Sequence, residues 1–213
     1  MTDPISVHLL TCPARAASLA ATLASWRGSD WGAEPLIYCD REPERAGEEW
    51  GKAARNRRLT DAFAGMLRGV CAEGGDEKEW LLFIEDDLAF HPRIGSLVRS
   101  WAALGDERCV LASLFNPSLA KTLAWGTVAR AFAAEPKTFL GAQALLLRRG
   151  AIQWALKDWD SVSGMQSQRL ARIIGDKGPI WIHRPSLVQH VAENSSWGAH
   201  GQRALDFDPR WWA

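Results

Sequence analysis

The chain has 213 residues, of which 47% are hydrophobic and 23% are charged, a composition typical of a soluble globular protein with one sizeable core. Its formal net charge is +0, so no overall field draws it to nucleic acid or to an anionic membrane. The four cysteines lie far apart in the sequence and form no CxxC pair, which argues against a zinc site and favours reduced thiols.

The sequence predicts neither export nor a membrane anchor. Its first residues, Met1-Thr2-Asp3-Pro4, include no basic region and are not followed by the long apolar core of a signal peptide. No uninterrupted apolar stretch reaches the roughly 20 residues that a membrane span requires. We therefore expect a cytoplasmic protein with no membrane span.

The first half of the chain alternates strand and helix patterns. Strands are predicted over Ile5–Leu10, Pro35–Cys39, Trp80–Ile84 and Cys109–Leu114. Helices are predicted over Ala16–Trp26, Trp50–Val70 and Ile94–Leu104, and a polar loop over Arg41–Glu49. This alternation predicts an α/β fold with a mostly parallel central sheet flanked by helices.

The second half is less regular. Strands are predicted over Leu123–Phe132, Pro179–His183 and Ser186–His190, and a glycine-containing turn leads into another strand over Phe139–Leu147. Helices are predicted over Gly150–Lys157 and Met165–Ile174, and the tail from Val191 onward is irregular. Because no repeat, low-complexity tract or linker interrupts the chain, we predict a single domain.

Three consecutive carboxylates, Glu85, Asp86 and Asp87, directly follow the apolar strand Trp80–Ile84. We call these three residues the acidic cluster. Open α/β sheets bind their ligands at the carboxyl ends of the strands, and carboxylates this close repel one another unless a cation neutralises them. A divalent metal, which prefers oxygen ligands, is the natural partner. The alternative is a solvated acidic turn.

Other motifs narrow the choice of function. The sequence contains no GxGxxG after the first strand, no GxxxxGK[ST], no GxSxG and no HExxH. It does contain, in order, FIEDD at Phe83–Asp87, FLGAQ at Phe139–Gln143 and PSLVQH at Pro185–His190. From Ile5 to Gly198 the chain resembles a compact GT-A-fold glycosyltransferase, with EDD as a variant of the DxD motif.

The resemblance implies a single GT-A-like catalytic domain over residues 1–213. Residues 1–115 would form the nucleotide-binding half, residues 116–198 the donor and acceptor half, and residues 199–213 a tail. The fold class that we expect is therefore α/β and GT-A-like, with a Rossmann-related sheet.

The resemblance also implies a metal site. Asp87 would bind a divalent metal that bridges the diphosphate of the donor, with Glu85 and His190 as further ligands, and Glu85 or Asp86 would contact the ribose or hold a metal-bound water. A Lewis acid would neutralise the charge that develops on the leaving diphosphate. An imidazole beside carboxylates favours Mn²⁺, with Mg²⁺ as the second choice. The alternative for His190 is a histidine hydrogen-bonded in the core.

Further residues would bind the nucleotide-sugar donor. The resemblance implies that Thr11, Arg15 and Asp40 surround the base and ribose, although such residues are also ordinary turn residues. Gly141 and Gln143 would let the donor sugar approach the backbone, or would simply form a tight turn. A loop over the diphosphate, or else a flexible tail, is predicted from Ser195, Ser196 and Trp197.

A catalytic base is harder to assign. Inverting enzymes of this fold usually place a carboxylate at the start of a helix after the glycine turn, where it deprotonates the acceptor hydroxyl. The matching position, near Ser167, has no acid. Asp160, Asp158 and Glu193 are the alternative candidates, and a retaining mechanism would need no such base. Inversion and retention both remain open.

The resulting hypothesis is a metal-dependent glycosyltransferase that moves a sugar from a nucleotide-sugar donor to an acceptor hydroxyl. The acceptor is a glycan or a hydroxymethylated DNA base, and a basic rim for DNA would draw on Lys52, Arg55, Arg57, Arg58, Arg169, Arg172 and Lys177. Two alternatives remain: a nucleotidyltransferase, and a nucleotide-sugar-binding module without turnover. The sequence does not indicate the oligomeric state.

Overall fold

Over the residues that the structure describes, a seven-stranded sheet forms the centre of the protein. The computed structural model describes residues 5–40, 52–117, 131–134, 136–191 and 202–211. In chain order the strands are β1 (Ser6–Thr11), β2 (Leu36–Cys39), β3 (Trp80–Glu85), β4 (Leu88–Phe90), β5 (Leu111–Ser113), β6 (Ala131–Ala134), β7 (Ala144–Arg148), β8 (Ile180–His183) and β9 (Val188–His190). The order in the sheet is β2-β1-β3-β7-β5-β8-β6, while β4 and β9 form a separate two-stranded sheet.

The central sheet is mostly parallel. Strands β1, β2 and β3 run in one direction, and β5 and β8 share it, because β7 is antiparallel to both β3 and β5. Only β6 and β7 of the seven run the opposite way. The predicted fold class, a mostly parallel sheet flanked by helices, is confirmed. Both halves of the chain contribute strands to this one sheet.

Helices cover both faces of the sheet. They are α1 (Ala16–Arg27), α2 (Lys52–Ala72), α3 (Ile94–Arg99), α4 (Arg149–Asp158) and α5 (Gln166–Ile174). Within β3, Leu81 and Phe83 belong to the core beneath α2, α4 and α5, whereas Leu82 and Ile84 belong to the core beneath α1 and α3. Successive side chains of a strand point to opposite faces, so a strand buried on both faces is continuously apolar. This is why the run before the acidic cluster contains no polar residue.

Two elements differ from the sequence prediction. The helix that begins at Ile94 ends at Arg99 and is followed by a 3-10 turn over Ala102–Gly105, because Trp101 adopts an extended conformation and buries its ring against His183, with ring centroids 4.9 Å apart. Strand β4 was not predicted. It has three residues, and its only ladder partner among the described strands is β9, far along the sequence.

Some predictions fall outside the described residues, including the polar loop at 41–49 and most of the strand at 123–132. The described tail, residues 202–211, contains neither helix nor strand. It packs on β9, where the side-chain amide of Gln189 both donates to and accepts from the backbone of Ala204, at 3.0 Å each. Across the described ranges, no helix is long and apolar enough to cross a membrane.

Candidate active site

The acidic cluster lies where the carboxyl ends of β1 and β3 meet. Glu85 is the last residue of β3 and pairs with Leu10 of β1, so Asp86 and Asp87 leave the sheet beside Thr11. Strand β4 begins directly after Asp87, and its pairing with β9 sets Leu88 opposite His190. The fold thus carries His190 to the acidic cluster through a backbone ladder.

Asp86 accepts hydrogen bonds at both of its carboxylate oxygens. The hydroxyl of Thr11 donates to Oδ2 at 2.5 Å, and Nε of Arg15 donates to Oδ1 at 3.0 Å. Arg15 also brings Nη2 to 2.9 Å from the same Oδ1. Both oxygens of Asp86 are therefore hydrogen-bonded, one to Thr11 at the end of β1 and the other to Arg15 in the turn that follows.

Asp87 is held between two basic side chains. Nε2 of His190 lies 3.0 Å from Oδ2 of Asp87, and because a carboxylate only accepts, Nε2 carries the proton and donates. The Nη2 group of Arg15 donates to the same oxygen. The other oxygen, Oδ1, and Nδ1 of His190 are buried without a hydrogen-bond partner. The centre of the site therefore contains two polar atoms that a bound ligand would satisfy.

Burial and neighbouring charges oppose each other at these groups. Burial raises the pKa of Asp86 despite the hydrogen bond from Thr11 and the charge of Arg15. Burial alone would also raise the pKa of Asp87, but the hydrogen bond and charge of His190, together with Arg15, outweigh it and lower the pKa. The pKa of His190 is raised, because its contact with Asp87 outweighs burial. Asp87 is thus the anionic centre of the site.

Glu85 differs from the two aspartates. Its Oε1 accepts a hydrogen bond from Nε2 of Gln166 at 3.2 Å, and burial followed by the charge of Asp87 raises the pKa of Glu85 to about 8. Gln166 is the first residue of α5 and is buried together with Ser167. Sequence reasoning missed Gln166 because it looked for an acid at this helix start, where the structure has an amide that donates to Glu85.

Thr11 is the last residue of β1, Asp40 directly follows the neighbouring strand β2, and Arg15 ends the 3-10 turn after β1. The backbone N–H of Asp40 donates to the carbonyl of Thr11 at 2.9 Å. The carboxylate of Asp40 accepts from Nε of Arg58 at 2.9 Å. Arg58, which the sequence suggested as part of an exposed basic face, is therefore half-buried and paired. A role for these residues in nucleotide binding stays a prediction.

Gly141 and Gln143 join the site through β7. The backbone N–H of Glu85 donates to the carbonyl of Gln143 at 3.1 Å, and the side-chain Oε1 of Gln143 is buried without a partner. Gly141 has φ +99°, in the left-handed region that favours glycine. This loop therefore brings the backbone of Gln143 beside Glu85 and leaves a buried amide oxygen without a partner.

Replacing Gly141 with alanine should destabilise the protein by about 1–3 kcal/mol, because the backbone is strained for any other residue and the new Cβ would lie 3.0 Å from Cδ1 of Phe115. Urea unfolding would measure the loss. Gly69→Ala is the matched control, since Gly69 lies inside α2 with no heavy atom within 4 Å of an added Cβ. Equal effects at the two glycines would contradict the expectation.

The predicted catalytic bases are not joined to this site in the described part of the chain. Asp158 is exposed, and Asp160 is 86% exposed with Oδ1 3.6 Å from Nη1 of Arg169. Glu193, Ser195, Ser196 and Trp197 lie outside the described residues. The carboxyl group that contacts the start of α5 is instead that of Glu85.

A metal held jointly by Asp87, Glu85 and His190 does not fit this arrangement. Three of the four oxygens of the two aspartates already accept hydrogen bonds from neighbouring side chains, and His190 directs its Nε2 at Asp87. Within the described ranges, no three His, Cys, Asp or Glu side chains are placed to hold one ion. The metal stays a prediction.

No protein-family model matches the chain, and none of the curated proteins does. Several solved structures are similar to it. One is a glycosyltransferase involved in the glycosylation of the major capsid of PBCV-1, with 12% identity, coverage of 89% of this chain and 94% of that chain, and a TM-score of 0.46. Another is the galactosyltransferase LgtC in complex with donor and acceptor sugar analogs, with 11% identity, coverage of 79% and 70%, and a TM-score of 0.47.

A third is the glycosyltransferase GlyE of Streptococcus pneumoniae TIGR4, with 11% identity, coverage of 83% of this chain and 45% of that longer chain, and a TM-score of 0.44. At these identities and TM-scores, the activity of this chain has to be argued from its own residues.

Proposed function

We propose that this protein transfers a glycosyl group from a nucleotide-sugar donor to an acceptor hydroxyl. The observation that carries the proposal is the convergence of Thr11, Arg15, Asp86, Asp87 and His190 at the carboxyl ends of β1 and β3, which is the ligand-binding edge of an open α/β sheet. The order of motifs in the sequence, FIEDD, FLGAQ and PSLVQH, supports the same activity.

The site offers groups suited to each part of such a donor. Asp40, which directly follows β2, would accept from a ribose hydroxyl. Arg15 and the imidazolium form of His190 supply positive charge where a diphosphate would leave. The buried acceptor atoms of Gln143 and Asp87 call for hydroxyl donors, which a sugar provides. Each of these roles is part of the proposal.

A glycan is favoured over DNA as the acceptor. Arg169 donates to the carbonyl of Trp159 at 2.7 Å and to that of Gly164 at 3.0 Å, and Arg172 donates to the carbonyl of Ser163. These two arginines therefore hold their own loop together instead of forming a rim for phosphates. The +0 formal net charge points the same way.

The test is stabilisation by nucleoside diphosphates and nucleotide sugars, because a ligand that binds only the folded protein raises its melting temperature. A shift with one nucleotide would identify the donor class. Release of that nucleoside diphosphate from its sugar ester, with and without acceptor glycans, would then measure transfer. Absence of a shift with every nucleotide, in EDTA and in Mn²⁺, would overturn the proposal.

A nucleotide-sugar-binding module without turnover is the second candidate. It is favoured by the buried amide and hydroxyl of Gln166 and Ser167, which occupy the helix start where an inverting enzyme would place its carboxylate. The same assay separates the two functions. Stabilisation by a nucleotide sugar with no release of nucleoside diphosphate would establish the module.

A further inference from the structure

The guanidinium of Arg15 lies between the two aspartates of the acidic cluster. It donates to Asp86 from Nε at 3.0 Å and contacts both aspartates through Nη2. Its side chain is only 14% exposed, and the backbone that carries it is fixed by the 3-10 turn Pro13–Arg15, in which the N–H of Arg15 donates to the carbonyl of Cys12 at 2.9 Å. The cation at this strand end therefore belongs to the chain itself.

The remaining oxygen atoms are too few for a divalent ion. Thr11 and Arg15 engage both oxygens of Asp86, and Arg15 with His190 engages Oδ2 of Asp87. Of the two aspartates, this leaves only Oδ1 of Asp87 without a partner. Oε1 of Glu85 also accepts a hydrogen bond, and across the described ranges no three His, Cys, Asp or Glu side chains are placed to hold one ion. Hard divalent cations take about six or more ligands, mostly oxygens, so an ion would have to displace the guanidinium before it bound both aspartates.

The charges around the two aspartates also argue against a bound divalent ion. A cluster of ionised carboxylates attracts a divalent ion, but here one guanidinium lies between two of them and an imidazole donates to the second. Opposite charges within hydrogen-bond distance neutralise one another most strongly where solvent is excluded. The negative charge that draws a metal to a DxD-type site is therefore already largely neutralised by basic side chains of the protein.

We propose that Arg15 replaces the divalent metal of this site, so that the protein binds its nucleotide without a metal ion. The nucleotide part of this inference rests on the proposed function, whereas the exclusion of the metal does not. Arg15 then has two roles. It positions the two aspartates, and it supplies the positive charge that a diphosphate meets at the end of β1.

Binding of Mn²⁺ alone tests the exclusion. Titration followed by electron paramagnetic resonance of free Mn²⁺ should detect no wild-type site at micromolar concentrations, whereas Arg15→Gln should bind one Mn²⁺ at least tenfold more tightly. Arg149→Gln is the matched control, because Arg149 is also a buried arginine, 7% exposed, and is paired with Glu79 at 2.8 Å, just before the opposite end of β3. This variant should bind Mn²⁺ as the wild type does.

Two results would overturn the exclusion. One is a wild-type protein that binds one Mn²⁺ at micromolar concentration. The other is a folded Arg15→Gln variant, shown by its thermal melt, that binds Mn²⁺ no better than the wild type. If Arg15→Gln does not fold, the wild-type titration alone decides.

Nucleotide binding tests the second part of the proposal, that the protein binds its nucleotide without a metal ion. Any nucleoside diphosphate that raises the melting temperature of the wild type should do so equally in EDTA and in Mn²⁺. A shift that appears only with Mn²⁺ would support the proposed function and overturn the role of Arg15. If no nucleotide gives a shift, the proposed function fails, while the Mn²⁺ titration still decides whether Arg15 excludes the metal.

Discussion

Replacing Asp87 with alanine should lower the free energy of unfolding by about 3–5 kcal/mol, the cost of removing one partner from a buried ion pair. The loss would leave the guanidinium of Arg15 and the imidazole of His190, side chains that are 14% and 6% exposed, without their shared carboxylate. Urea unfolding monitored by tryptophan fluorescence would measure it.

Asp106→Ala is the control for this substitution. Asp106 also pairs with an arginine, Arg108, whose Nη2 lies 2.9 Å from Oδ2 of Asp106, but that guanidinium is 76% exposed. Solvent-exposed pairs contribute little to stability, so this variant should unfold at nearly the wild-type urea concentration. If the Asp87 variant did the same, the buried pairing described above would be wrong.

The second large effect is a dependence of stability on pH. The pKa of Glu85 is raised from 4.5 to about 8 in the folded protein, so between these values the folded state holds a proton that the unfolded chain has lost. The stability that this proton contributes is complete below about pH 4.5 and is lost as the pH rises to about 8. By linkage the change is on the order of a few kcal/mol.

Glu85→Gln should remove this dependence, because an amide does not titrate. Melting temperatures of both proteins from pH 5 to pH 8.5 would measure the difference. His190, whose pKa is also raised, loses stability in the same direction. Because the charge of Glu85 contributes to that raised pKa, the difference between the two curves measures Glu85 together with its interaction with His190. Glu107→Gln, at an exposed turn, should keep the wild-type curve. Parallel curves for wild type and Glu85→Gln would refute the prediction.

Local patterns in the sequence were sufficient to predict the fold class and the place of the acidic cluster at the end of β3. Strand β3 is recognisable because both of its faces are buried, which leaves an uninterrupted apolar run before Glu85. The positions of Thr11 and Asp40 follow from the same logic, since each comes at the end of a parallel strand. Most residues that the sequence predicts near the acidic cluster therefore lie at the ends of strands.

Long-range contacts could not be predicted in the same way. Arg15 precedes Asp86 by 71 positions and looks like an ordinary turn residue, so nothing local indicates that it bridges two carboxylates. Gln166 lies 81 positions from Glu85, and an amide at a helix start is no signal by itself. Strand β4 is too short for any periodicity, and only its partner β9 defines it.

The ladder between β4 and β9 also affects how this site can diverge. Backbone pairing sets Leu88 opposite His190, and the N–H of Val191 donates to the carbonyl of Asp87 at 2.9 Å. The spacing of positions 87 and 190 is therefore independent of the side chains found there. Because buried charged partners can be exchanged as a unit for apolar residues of similar volume at little cost, joint substitutions at positions 15, 87 and 190 give protein engineers a way to reshape the site on an unchanged scaffold.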